Sequence, residues 1–159
     1  MTPLELIDAL KEELEEMFEE WRYKCQKGTL VPINVYEQNL PKLEVDYSEN
    51  EEPVPYIIIR LVKGTDSGEK DSFYTVSVCL IVAVWDGDSD TQGYRDVQNI
   101  FDKIYLRFHK NPNLRNKAAY TGEWNWVAQE DNYYPYFIAA CNLDFRIAAV
   151  RKGISTHET

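Results

Sequence analysis

The sequence predicts an α+β fold: a single domain with a mainly antiparallel sheet and two amphipathic helices packed on one face. Three observations predict it. Two stretches carry apolar residues at helical spacing, Leu6 to Trp21 and Tyr94 to Phe108. Five others are rich in β-branched and aromatic residues, as strands are. The order is helix, three strands, helix, two strands, and turn-like joints between strands favour hairpins over crossovers. With 159 residues, the chain suits one domain of ordinary size.

"TPLELIDALKEELEEMFEEWRYKCQKG" reads as a helix over 3–26. Thr2 is its N-cap, Pro3 its first helical residue and Gly28 its stop. Leu6 or Ile7, then Leu10, Leu14, Met17, Phe18 and Trp21, form the apolar stripe. Glu12, Glu13, Glu15, Glu16, Glu19 and Glu20 exceed what Lys11 and Arg22 can pair locally. Their face is solvated, or meets a basic partner, or lines an acidic channel.

A short strand follows over 31–38, then an acidic, proline-containing loop at about 47–53. "YIIIRLVKG" and "SFYTVSVCLIVAVW" form a hairpin around "TDSGEKD". In the second strand Tyr74, Val76, Val78, Leu80, Val82 and Val84 share an apolar face, and the opposite face is mixed. That pattern predicts a strand covered by helix on one side and partly covered on the other. "TQGYRDVQNIFDKIYLRFHKNPN" is the second helix, closed at Asn111-Pro112. "AAYTGEWNWVAQ" and "YYPYFIAACNLDFRIAAVRKG" form the final hairpin. There Phe137 to Ala149, taken alternately, line one face, while Asn142, Asp144 and Arg146 line the other. The domain spans 1–152, and residues 153–159 read as a frayed tail.

Charge excludes one class of function. The net charge is −10, with five basic against fourteen acidic groups in residues 1–54 and twelve against thirteen in 55–159. Such a surface does not grip a phosphate backbone, although DNA slides past it without sticking. The longest apolar run, Val78 to Trp85, is far short of the roughly 20 residues of a membrane-spanning helix. The chain starts acidic at Glu5, so no secretion leader is expected.

"VWDGDSDTQGYRDV", Val84 to Val97, is the one stretch that looks like a metal loop. Asp86, Asp88 and Asp90 occupy the first, third and fifth positions of a calcium loop. The sixth is Thr91 instead of glycine, and the twelfth is Val97 instead of glutamate. No calcium site is expected. Asp86-Gly87 turns the chain out of the strand, and Ser89 or Asp90 caps the helix.

No nucleotide, zinc-protease or serine-hydrolase motif occurs. Cys25, Cys79 and Cys141 are an odd, scattered set, which reads as buried free thiols. The only histidines, His109 and His157, offer no evident base for them. Trp124 and Trp126 share a strand face ahead of "NYYPYF". They pack across the hairpin and at an interface, or form a carbohydrate platform.

Three stretches together carry a family resemblance: residues 55–104 with the "D-x-x-GYRD" approach to a helix, then "NPNL", then "EWNWVAQEDNYYPYFIAACNLDFRI". Over roughly 54–150 the chain resembles the tail-terminator, or tail-completion, proteins of tailed bacteriophages and prophages, particularly those of Gram-positive hosts. The resemblance implies helices on one side of a sheet and a structural role without cofactor or catalysis. It implies a homo-oligomeric ring, a hexamer, on the finished tail tube of the virion, assembled in the bacterial cytoplasm. The ring ends tube polymerisation, faces the head–tail connector protein and lets DNA through without specific binding. A connector of the same particle, or less so a small-molecule or carbohydrate-binding module, stays open as an alternative. No residue-level site carries over from the family. The candidate interface residues come from the chain itself: Asp86, Asp88 and Asp90 in the loop, and Asn142, Asp144 and Arg146 on the last strand.

Overall fold

Thr2 opens the first helix as its sequence predicts. In the computed structural model, which describes residues 1–40, 53–88 and 91–151, its hydroxyl accepts the Glu5 N–H at 3.2 Å. Helix α1 runs from Pro3 to Met17 and buries Leu6, Ile7, Ala9, Leu10 and Leu14. The expected helix over 3–26 is therefore too long. Phe18 leaves helical geometry, and the Arg22 guanidinium donates to the freed carbonyls of Glu19 and Trp21. Phe18 and Trp21 still reach the core and meet edge to face at 5.4 Å. Their spacing mimics one more helical turn, which is why the sequence pattern overran.

Beyond Trp21, strand β1 (Arg22–Lys24) pairs antiparallel with β2 (Leu30–Pro32). Gly28, at φ +79°, sits in the turn between them instead of stopping a helix. The single strand expected over 31–38 is divided at Ile33: β2 belongs to this small ribbon, and β3 (Asn34–Glu37) to the main sheet.

The main sheet adds β4 (Tyr56–Asp66), β5 (Tyr74–Trp85), β6 (Asn113–Leu114), β7 (Ala118–Ala128) and β8 (Tyr136–Ile147), in the order β3-β4-β5-β8-β7-β6. Every pair is antiparallel except β3 with β4. Helix α2 (Gln92–Lys110) crosses between β5 and β6. Both helices lie on one face. Their buried residues join Val76, Val78, Leu80, Val82 and Val84 of β5 and Cys141, Leu143, Phe145 and Ile147 of β8 in one core. The alternation read from β5 and β8 is the alternation observed.

The opposite face is half covered. Near the Trp85 end, Tyr56, Ile58 and Ala83 are buried with Val54, and Leu40, Trp85, Tyr136 and Ile138 pack around them. The other end has no such cover among the described residues. The acidic loop at 47–53, apart from Pro53, and the tail 153–159 lie outside those residues.

Tertiary partners meet part of the Glu-rich face of α1. Arg115 reaches Glu16 at 2.9 Å, Glu13 at 3.4 Å and Glu12 at 3.5 Å, and Arg107 reaches Glu13 at 2.8 Å. These arginines bind α1 to the end of α2 and the β6–β7 turn. At the far end, Arg151 grips Asp66 through two bonds of 2.6 and 2.8 Å and holds the exit of β8 against the β4–β5 hairpin. Arg151 holds the Asp66 carboxyl below its ordinary range. This anchor stabilises above the unfolded carboxylate pKa and is lost as pH falls through the folded value.

Candidate functional site

Strand β5 ends at Trp85, and the next two residues decide how the chain enters α2. Asp86 is only 6% exposed. One carboxylate oxygen accepts the Gly93 N–H at 3.0 Å and the other the Asp88 N–H at 3.1 Å, while the Asp86 N–H donates to Pro135 O at 2.8 Å. A buried carboxylate thus meets the unpaired N–H groups and positive end of α2. Thr91 stands at the N-cap position at φ +58° and makes no side-chain cap. Capping was expected from Ser89 or Asp90, which lie outside the described residues. The cap seen comes from the strand end, several residues back. Local motif spacing gives no signal for that.

The same geometry explains the glycines of "WDGDSDTQGYRD". A Cβ on Gly87 would run into the Trp85 indole, and one on Gly93 into the Phe137 ring. Gly93 is buried, so α2 approaches β8 closely at its first turn. Gly93→Ala is therefore expected to cost about 1–2 kcal/mol by overpacking, read as a lower urea midpoint at unchanged slope. A midpoint equal to that of the unaltered chain would mean that α2 does not seat against Phe137.

Asp88 is half exposed and pairs with Lys24 of β1 at 2.6 Å. Its loop borders a polar cleft of about 210 Å³ lined by Tyr23, Lys24, Asp86, Asp88, Gln92 and Asp96, among others. Burial, with Asp96 nearby, pushes the Tyr23 hydroxyl well above its usual range. Among the described residues no cluster of histidine, cysteine and acidic side chains could hold a metal ion.

The other candidate residues lie elsewhere. Asn142, Asp144 and Arg146 face Cys79, Ser77 and Thr75 of β5, on the sheet face away from the helices. From Trp85 to Ser77 is about 25 Å along the strand at its usual rise, so the two groups do not form one site. Asn142 is exposed and donates to Asn125 Oδ1 at 2.8 Å across β7. Asp144 is half-buried, and the exposed Arg146 places its guanidinium 5.3 Å from the Phe73 ring centroid. Phe73 is itself 57% exposed. Together these form a polar strip with one aromatic at its end.

The tryptophans lie opposite Leu143 and Cys141 across the β7–β8 hairpin, and they also meet α2. Trp124 packs on Tyr105 edge to face at 5.4 Å and on Phe101 at 6.3 Å. Trp126 lies 6.4 Å from Phe101 and remains 45% exposed. Nearby, Tyr120 donates to Glu123 O at 2.6 Å, and burial pushes its hydroxyl up to about 12. All three cysteines are free, but only Cys141 is buried, where burial raises its thiol strongly. Cys25 lies in the β1–β2 turn with its thiol lowered by the Thr29 hydroxyl, a placement that spacing did not reveal. No helix among the described residues is long and apolar enough to cross a membrane.

No family model matches the chain, and no curated protein matches it significantly.

Proposed function

We propose that this chain is a non-catalytic structural protein of a phage or prophage tail, which caps the tail tube and ends its growth. One observation carries the reading furthest. The sheet is covered by helices on one face, while the opposite face leaves Asn125, Asn142 and Arg146 exposed on regular strands, with exposed Phe73 just before β5. A rigid, mixed polar and aromatic surface of this kind suits contact with another protein. The resemblance of residues 54–150 supplies the kind of particle. The concentration of acidic charge in residues 1–54 is compatible with an assembly past which DNA travels. Asp86 is buried at the helix cap, so the interface set reduces to Asp88, Asn142, Asp144 and Arg146, with Asp90 outside the described residues.

The test adds purified chain to polymerising tail-tube subunits. Shorter tubes carrying terminal density by electron microscopy are expected. Arg146→Glu, at an exposed position, is expected to abolish capping while melting at the temperature of the unaltered chain. Tubes of unchanged length with bare ends would overturn the reading. Binding to the head connector without binding to the tube would move the protein to the connector station.

A further inference from the structure

Strand β3 stops at Glu37, level with Ile59 of β4, while β4 runs on to Asp66. Gln38 turns the chain away at φ +67°, in the left-handed region that residues with side chains seldom take. Three groups of β4 hold it there. The Gln38 N–H donates to Ile59 O at 2.8 Å, its side-chain Oε1 accepts the Leu61 N–H at 3.0 Å, and its carbonyl accepts the Arg60 guanidinium at 3.3 Å. This early stop leaves a groove of about 570 Å³ between α1 and β4.

The groove combines an apolar lining with a few polar groups, as binding clefts do. Ile7 of α1 and Ile59 of β4 are buried beneath it, and Leu61 is half-buried. Leu4, which also lines it, is 70% exposed. The polar lining is Asp8, Glu37 and Gln38, all exposed. The Asp8 and Glu37 carboxylates and the Gln38 Nε2 have no hydrogen-bond or ion-pair partner among the described residues. No basic side chain among those residues lines the groove. Glu13, Glu16 and Asp66, by contrast, are matched by arginines within the domain. The groove therefore complements an aliphatic side chain carried between basic ones. The aliphatic group would cover Leu4 and Leu61, the basic groups would meet the two carboxylates, and the Gln38 amide would donate to a main-chain carbonyl.

We propose that this groove receives a segment of a partner protein that presents an aliphatic side chain between basic residues. Ile59 and Leu61 belong to the helix-covered face, away from the strip at Arg146, so the contact is separate from tube capping and does not depend on it.

Short acetylated and amidated peptides test it against the full chain, with amide chemical shifts as the readout. Gly-Lys-Leu-Lys-Gly is expected to shift the amides of Leu4, Asp8, Gln38 and Leu61 saturably at millimolar concentration. Gly-Glu-Leu-Glu-Gly and Gly-Lys-Ser-Lys-Gly are each expected to bind about tenfold more weakly, the first through like charge and the second through the lost apolar group. Asp8→Lys combined with Glu37→Lys, both at exposed positions, is expected to exchange the preference in favour of the acidic peptide. Leu4→Ser is expected to weaken binding of the basic peptide severalfold while melting with the unaltered chain. Absence of saturable shifts at the groove, equal binding of the three peptides, or an unchanged preference in the double variant would overturn the proposal. Two further outcomes would also overturn it. Groove shifts that follow protein concentration without peptide would give the groove to a second copy, and hexylammonium binding as tightly as the basic peptide would give it to a small cationic amphiphile.

Discussion

Phe108→Ala is expected to lower the free energy of unfolding by about 3–5 kcal/mol, the largest loss from any single truncation considered for this chain. Phe108 is 1% exposed in the last turns of α2. Its ring meets Phe145 of β8 edge to face at 5.4 Å and Tyr120 of β7 at 6.0 Å. Removing it opens a cavity between α2 and two central positions of the sheet. Neither neighbour can collapse freely, because each sits on a paired strand. The loss would appear in urea unfolding as a lower midpoint at unchanged slope. Leu106→Ala on the same helix is the control. Leu106 is 50% exposed, and its truncation is expected to change stability by no more than about 0.5 kcal/mol. Similar losses at the two positions would mean that α2 presents a different face to the sheet.

Asp86→Ala is expected to cost about 2–3 kcal/mol. The change strands two N–H groups, those of Gly93 and Asp88, at a position that is 6% exposed. It also removes the negative charge at the positive end of α2. Asp86→Asn keeps one acceptor oxygen and is expected to lose about half as much. Asp88→Ala breaks only a half-exposed ion pair with Lys24 and is expected to cost at most about 1 kcal/mol. Equal or reversed losses at Asp86 and Asp88 would mean that the start of α2 is not held by the Asp86 carboxylate. The consequence for assembly follows directly: an Asp86 variant should impair capping only by unfolding α2, whereas an Arg146 variant should impair it while folded.

Strand alternation was the most legible feature. Val76 to Val84 and Cys141 to Ile147 are buried where their spacing placed them, because a two-residue period fixes each side chain's face once the strand exists. The stripe of α2 was legible from its 3.6-residue period for Val97, Ile100, Phe101, Ile104 and Phe108, whereas Tyr94 and Tyr105, expected in the same stripe, remain exposed. Helix α1 was legible only as far as Met17. Phe18 and Trp21 continue the apolar spacing, yet they enter the core from non-helical backbone, and Arg22–Lys24 find strand partners around Gly28. Hydrophobic period reports which residues are buried, not which backbone carries them.

The candidate residues divide in the same way. That Asn142, Asp144 and Arg146 share one face follows from the sequence. That neither α1 nor α2 covers them depends on both helices choosing the same side of the sheet, and Phe73 lies beneath Arg146. The aspartates of the loop looked alike in sequence, but the fold separates them: Asp86 turns inward to the α2 N-terminus, and Asp88 outward to Lys24. Likewise, the glutamates of α1 looked unpaired until the chain's return brought Arg107 and Arg115 beside them. The sequence by itself determined the class of fold, the burial face of the long strands and the lack of a calcium-loop ligand pattern, because those depend on local period and composition. Tertiary structure alone decided which charges are spent within the domain and which remain at its surface, because a charge's partner is set by distance in space and not by distance along the chain.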